Sequence, residues 1–302
     1  MDIKNKKLVV ILGPTATGKT KLAVTLARKF NGEIISADSR QVYRGMDIGT
    51  GKDLKEYGDI PYHLIDVVSP KSDFNVAKYQ KLAYKAINSV LSYGKLPILV
   101  GGTGLYIDAI TKGYSFDNIQ YSISNIKKIR QKLNQLSLMQ LLAKLRKIDL
   151  TTYNKIDKKN RRRVQRALEI YYISGQRKSE SDKISPPDYE ILFLGKTYPL
   201  PKLYQQIDSR LEDRIKEGMI EEIKKLRRSG VNWKRLDEFG LEYRYVNCYV
   251  RGLISYEELI KQLQNAIHHF AKRQMTWFKR NPQIIWVKSD GQAESLLKKF
   301  LA

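Results

Sequence analysis

The chain has 302 residues, enough for one large domain or a core carrying a smaller unit, and 42% hydrophobic residues suffice for a sizeable interior. Its 55 Lys and Arg against 31 Asp and Glu give a formal charge of +24, too lopsided for a protein that meets only small metabolites. A polyanion is the natural partner, and a lysine-rich surface kept for solubility is the plainer alternative. A single cysteine, Cys248, excludes an intramolecular disulfide and a cysteine-based zinc cluster. Met1 to Lys7 run straight into the first strand, which leaves no room for a targeting segment, and no apolar run approaches bilayer-spanning length. A cytoplasmic protein with no membrane contact is expected.

Leu8 to Leu12 form a short buried-strand pattern, and Lys21 to Phe30 place Leu22, Ala23, Leu26 and Ala27 at helical spacing. Between them stands Gly13-Pro14-Thr15-Ala16-Thr17-Gly18-Lys19-Thr20, which reads G-x-x-x-x-G-K-T. A strand, this loop and a helix in that order make a phosphate cradle. Backbone N–H groups close around phosphate oxygens, Lys19 neutralises charge, and the Thr20 hydroxyl is suited to Mg²⁺.

A second strand over 32–37 ends at Asp38-Ser39-Arg40-Gln41. Ligands of open parallel sheets collect at the carboxyl ends of strands, so Asp38 faces the same crevice as the phosphate loop or else caps the next segment. Gly45, Gly49, Gly51 and Gly58 punctuate a loop, and a short strand is expected over 63–68, with His63 and Asp66 structural. An amphipathic helix over 76–92 leads to a buried strand over 97–100. That strand ends in Gly101-Gly102-Thr103-Gly104, a flexible turn open to a ligand or simply a tight strand-to-helix connection.

Beyond Tyr114 the alternation gives way to a polar, lysine-rich helical pattern with Ile126, Ile129, Leu133, Leu138, Leu141, Leu142 and Leu145 as its stripe. It returns through Lys158 to Arg166, where a basic run opens a helix against the helix dipole; that cost suggests phosphates nearby, a solvated charge run being the alternative. Another buried strand is expected over 189–194, one stripe from Leu203 to Leu226, a long helix over 256–279, and a last strand over 284–287. Near that helix's end, basic and aromatic residues interleave, though Trp277 and Phe278 suit the core better than nucleic acid. His268 and His269 fall on different helix faces and make a poor metal pair.

These elements describe an α/β fold, with a P-loop nucleoside-triphosphate-hydrolase-like core. A parallel sheet flanked by helices occupies 1–115 and 160–302, and an inserted helical domain occupies 116–159. The apolar strand over 97–100 ends in glycine and not in the aspartate that P-loop motors use for Mg²⁺, and the strand-end carboxylate is Asp38, which favours group transfer over hydrolysis.

At this point the chain resembles the tRNA dimethylallyltransferases, also called tRNA isopentenyltransferases, along nearly its whole length. The resemblance rests on the loop at Gly13 to Thr20, on Ile35 to Tyr43 with Gly45 to Thr50, and on His63 to Asp66. It continues through Val100 to Tyr106, Asn160 to Val164 and Ala271 to Phe278. It implies transfer of a dimethylallyl group from its diphosphate to N6 of adenosine-37, beside the anticodon of tRNA, with Mg²⁺ as cofactor and a monomer as the working unit. It further implies Gly13, Pro14, Thr15, Ala16, Thr17, Gly18, Lys19 and Thr20 around the diphosphate, with Thr20 toward the metal. Asp38 becomes the base for N6, supported by Thr103, while Arg210 meets the diphosphate. Ser39, Arg40 and Gln41 would touch the target nucleotide; Arg161, Arg162, Arg163, Val164, Gln165 and Arg166 would touch the anticodon stem-loop.

Two stretches depart from the family's usual pattern. Gly49-Thr50-Gly51-Lys52-Asp53 stands where Gly-Thr-Ala-Lys-Pro is usual, and Phe239-Gly240-Leu241-Glu242-Tyr243 where Leu-Gly-Tyr-Lys-Glu is usual. Rival readings are a prenyltransferase of free adenine nucleotides, an ATP-dependent kinase and an RNA-binding regulator. The charge and Arg161 cluster count against the first, the Asp38 block against the second, and intact Lys19, Thr20 and Asp38 against the third.

Overall fold

Leu8 to Leu12 are apolar on both faces of a strand, a pattern that only a sheet covered on both sides can satisfy. In the computed structural model, which describes residues 6–116, 123–181 and 184–302, strand β1 (Lys7–Leu12) lies inside a six-stranded sheet. Met1 to Asn5, read above as leaving no room for a targeting segment, lie outside the described residues, as does the side chain of Ile126. The other strands are β2 (Gly32–Ser36), β3 (Tyr62–His63), β4 (Leu96–Gly101), β5 (Glu190–Lys196) and β6 (Ile285–Val287), in the order β3-β2-β4-β1-β5-β6. Every pairing is parallel; Val10 sits opposite Leu99 on one side and Phe193 on the other. One edge of the sheet therefore collects all the strands' carboxyl ends.

The helices Lys19–Lys29 and Asp290–Leu301 cover one face through Leu22, Leu26, Ala293 and Leu297; Val76–Ser92 and Gly104–Thr111 cover the other through Tyr79, Ile87 and Ile107. Burial of each leucine and isoleucine among these contributes roughly 1.5–3 kcal/mol. A third core joins Val42, Tyr43 and Met46 to the helices Leu200–Lys216, Met219–Arg228 and Tyr256–Phe278. The single stripe read from Leu203 to Leu226 is two helices, because Gly218, at φ 101°, turns the chain between them. The strand expected over 63–68 stops at His63: Leu64 and Asp66 have positive φ, and Val68 bridges Tyr43 instead. His63 bonds Glu33, and Asp66 bonds Lys52, both structural as expected.

The chain divides into one unit of Met1–Thr111 with Asp188–Ala302 and a second of Lys112–Pro187. The insertion is thus longer than the 116–159 expected, and 160–187 belongs to it and not to the core. The reason lies in the helix Arg161–Ser174, whose Val164, Ala167 and Leu168 pack on Leu133, Leu141 and Leu145 of the inserted unit. Within it, the expected stripe falls on two helices, Ile123–Asn134 and Leu138–Ile148, the second begun by a capping box at Ser137. No helix among the described residues is long and apolar enough to cross a membrane.

Candidate active site

The phosphate loop leaves the end of β1 and enters the helix Lys19–Lys29. Gly13 has φ 149° and faces the Lys196 carbonyl at the end of β5, where a Cβ would overlap that oxygen; Gly18 takes φ 72°. Within the loop, Thr17 Oγ1 donates to the Pro14 carbonyl at 2.9 Å, and Lys19 Nζ donates to the same oxygen at 2.6 Å. Loss of hydration, then the Arg210 charge, lower the Lys19 pKa to about 7, against the opposing pull of Asp38.

Asp38 follows β2. Its Oδ1 accepts the N–H groups of Arg40 at 2.8 Å and Gln41 at 3.3 Å, so it closes a turn and not the start of a helix, and it also lines the cavity described below. Thr103 joins it through the neighbouring turn: Thr103 Oγ1 accepts the Ser39 N–H at 3.0 Å, and the Thr103 N–H donates to the Ala37 carbonyl. Gln41 braces the same corner. Its Oε1 accepts from Ser36 Oγ and its Nε2 donates to the Gly51 carbonyl. Arg40 lies over the Phe239 ring and donates to the Glu238 carbonyl.

The glycines at 101–104, read as a turn open to a ligand or as a tight strand-to-helix connection, are both: Gly101, Gly102 and Thr103 line the cavity described below, and protein atoms crowd the glycines themselves. A Cβ on Gly101 would overlap Ala37, one on Gly102 would overlap Gln274 Nε2, and one on Gly104 would overlap the Trp277 ring. None of the three has positive φ. Trp277 itself donates from Nε1 to Asp108, and Phe278 is buried in the core, as expected of both.

These groups share one cavity of about 540 Å³, within the range of small-ligand sites. Thr15, Lys19 and Thr20 line it with Asp38, Ser39, Arg40, Gln41, Thr103 and Arg210. The sequence reading missed Arg214, Glu242 and Gln274. Arg214 lies one helical turn beyond Arg210, which is a readable signal; it bonds Glu242 at 3.4 Å, and its buried Nε has no partner among the described residues. Burial raises the Glu242 carboxyl against the pull of Arg214. Gln274 sits in the Ala271 to Phe278 block, but nothing in that block says which residue turns inward.

The basic cluster belongs to the second unit, and only part of it is free for RNA. Arg161 donates to the carbonyls of Leu133, Asn134 and Leu136, closing the end of the helix Ile123–Asn134. Val164 is fully buried, which corrects its assignment as an RNA contact. Gln165 bonds Asn134, Arg166 pairs with Glu169, and Arg162 and Arg163 are exposed. Asn160 caps this helix by accepting the Arg163 N–H, which offsets part of the cost of basic residues there. Among the described residues no three His, Cys, Asp or Glu gather as a metal cluster, and His268 pairs with Asp208 instead.

An all-parallel sheet with a phosphate loop after its inner strand β1 and an acid after β2, on the far side of β4, defines a P-loop protein built for phosphate-linked group transfer. Family comparison narrows that class. The IPP transferase family matches residues 41–281, and the isopentenyl transferase family matches 6–59. The chain belongs to the IPP transferase family. It is 46% identical over 293 residues to tRNA dimethylallyltransferase 1 of Syntrophus aciditrophicus, covering 94% of each chain. It is 43% identical over 299 residues to tRNA dimethylallyltransferase 1 of Geotalea uraniireducens, covering 96% of this chain and 97% of that one. The tRNA isopentenylpyrophosphate transferase of Bacillus halodurans superposes with a TM-score of 0.72 at 36% identity, over 98% of this chain and 96% of that one. A eukaryotic dimethylallyltransferase acting on tRNA superposes at 0.86 and 26% identity, over 98% and 80%.

Proposed function

We propose that this chain transfers a dimethylallyl group from dimethylallyl diphosphate to N6 of adenosine-37 beside the anticodon of tRNA, releasing diphosphate. The observation that carries the reading is the shared cavity of Lys19, Thr20, Asp38, Thr103 and Arg210. In the reaction the bond from the allylic carbon to the diphosphate oxygen breaks and a carbon–N6 bond forms. Charge grows on the departing oxygens, where Lys19, Arg210 and the loop N–H groups can neutralise it, each strong donor being worth about 10²–10³ in rate. The N6 lone pair is delocalised into adenine, so N6 must lose a proton as it attacks. Asp38 takes that proton, with Thr103 fixing the turn that carries it.

Magnesium fits this pocket as an ion held chiefly by the diphosphate and water, with Thr20 its protein ligand, since Mg²⁺ commonly takes only one or two protein oxygens beside substrate phosphates. Bound there, it would supply charge for the leaving group. The Thr20 side chain enters no hydrogen bond among the described residues, which leaves its hydroxyl available. In this reading Ser39 and Arg40, which line the cavity, touch the target nucleotide, and the exposed Arg162 and Arg163 meet stem-loop phosphates. The same reading takes the chain as a cytoplasmic monomer.

The test supplies unmodified tRNA with either labelled dimethylallyl diphosphate or γ-labelled ATP. Prenyl label on the RNA is the expected result; phosphate label alone would replace this reading with a kinase.

A further inference from the structure

Arg210 and Arg214 lie one turn apart on the helix Leu200–Lys216, and both line the cavity with Lys19. Like charges at that spacing repel, so an empty pocket needs counter-charge. Two acids supply it: Asp53 pairs with Arg210, and Glu242 pairs with Arg214. Both acids stand in the two stretches that depart from the family's usual pattern, so the departures meet at one pair of guanidinium groups. Gly51 makes the arrangement possible, because a Cβ there would overlap Nη2 of either arginine. Lys52 fixes the loop from beneath; it is buried and donates to the Tyr43 carbonyl, Asp47 and Asp66.

The two ion pairs differ in reach. Side-chain exposure is 10% and 14% for Arg214 and Glu242, against 33% and 37% for Arg210 and Asp53. The first is a fixed buried pair, whereas solvent and ligand can enter the second. Asp53 also holds Arg210 through Nη2 alone, and it stands at the cap position of the short turn Leu54–Glu56 without its side chain making a cap bond.

Resting on the reading of the cavity as a diphosphate site, we propose that Asp53 is an exchangeable counter-ion: it occupies Arg210 in the empty pocket and yields it to the incoming diphosphate. Asp53 is thus a built-in competitor that lowers diphosphate affinity, and it reclaims Arg210 as the product diphosphate leaves. Asp53 acts through Arg210 and touches no reacting atom.

The test is calorimetric titration of inorganic diphosphate with Mg²⁺ into the unaltered chain, Asp53→Asn, Arg210→Ala and the double variant. Asp53→Asn is expected to bind diphosphate about three- to tenfold more tightly, the range between an exposed ion pair and a charge-assisted hydrogen bond. Asp53→Glu, which keeps the charge, should restore the original affinity. In the Arg210→Ala background the same Asp53→Asn change should move affinity less than about twofold, because the coupling is gone. Equal or weaker binding by Asp53→Asn, or equal tightening without Arg210, would overturn the exchange. Asp53→Ser serves as the uncharged variant if Asp53→Asn does not fold. Failure of the unaltered chain to bind diphosphate at all would count against the phosphate pocket too. Prenyl transfer by the unaltered chain tests that broader reading separately.

Discussion

Gln274 Oε1 accepts the Thr15 N–H at 3.0 Å, tying the phosphate loop to a helix 259 residues further along the chain. The same side chain donates from Nε2 to the Gly102 carbonyl at 2.8 Å. One amide therefore fixes the phosphate loop and the glycine turn beside Asp38 relative to each other. Gln274→Ala leaves a backbone N–H and a carbonyl without partners, a loss of about 1–3 kcal/mol readable as a lower denaturant midpoint. The KM for dimethylallyl diphosphate should rise about tenfold while the KM for tRNA holds. A variant with unchanged diphosphate KM would reduce Gln274 to a packing residue.

Asp38 has two tasks on two oxygens. Oδ1 caps the turn at Arg40 and Gln41, and Oδ2 makes no hydrogen bond among the described residues. Asn keeps the capping oxygen and removes the base. Asp38→Asn should therefore melt like the parent, bind tRNA like the parent, and turn over about 10²–10⁴ more slowly. Asp38→Ala should lose the same turnover plus about 1 kcal/mol of stability from the missing cap. Parental turnover by Asp38→Asn would end the base assignment.

The sheet and the phosphate loop were legible in the sequence because both are local. A buried strand, a glycine loop and an amphipathic helix each show within about ten residues. Asp38 was legible for the same reason, standing where a strand ends. The insertion's true end at Pro187 was not legible. The basic run at Arg161 to Arg166 draws the eye, while what decides membership is Val164, Ala167 and Leu168 meeting Leu133 and Leu141. The turn at Gly101 to Gly104 was legible in part: its place on the cavity wall follows from the strand end, but the sequence does not report that Ala37, Gln274 and Trp277 take the space a Cβ would need. Arg161 shows the same limit, since its three carbonyl acceptors lie 25 to 28 residues earlier.

Lys19 sets a pH dependence for diphosphate binding. In the empty pocket its pKa is lowered to about 7, first by lost hydration and then by Arg210, against Asp38. A bound diphosphate favours the ammonium form and raises the pKa again. Affinity should be full below pH 7 and weaken as pH rises above it, by up to about tenfold per unit until the bound-state pKa is passed. Dimethylallyl diphosphate binding at pH 8, measured without tRNA in buffers of different ionisation enthalpy, should take up protons. Lys19→Met should abolish that uptake. A proton balance of zero in the unaltered chain would place the lysine charge elsewhere.

Arg162 and Arg163 should behave differently from Arg161, although the three are adjacent in sequence. Arg161 closes a helix end through Leu133, Asn134 and Leu136, so Arg161→Ala should lower the stability of the inserted unit by about 1–3 kcal/mol before it affects RNA. Arg162 and Arg163 are exposed, with no hydrogen bond from either side chain among the described residues. If each meets one phosphate, replacing both with Ala should flatten the log–log salt slope of tRNA binding by about 1.4–1.8, at 0.7–0.9 per contact, and leave the melting temperature near the parental value. Titrating tRNA binding between low and moderate salt measures this directly. An unchanged slope would make these two side chains a solvated face and move the stem-loop contact to another part of the basic surface.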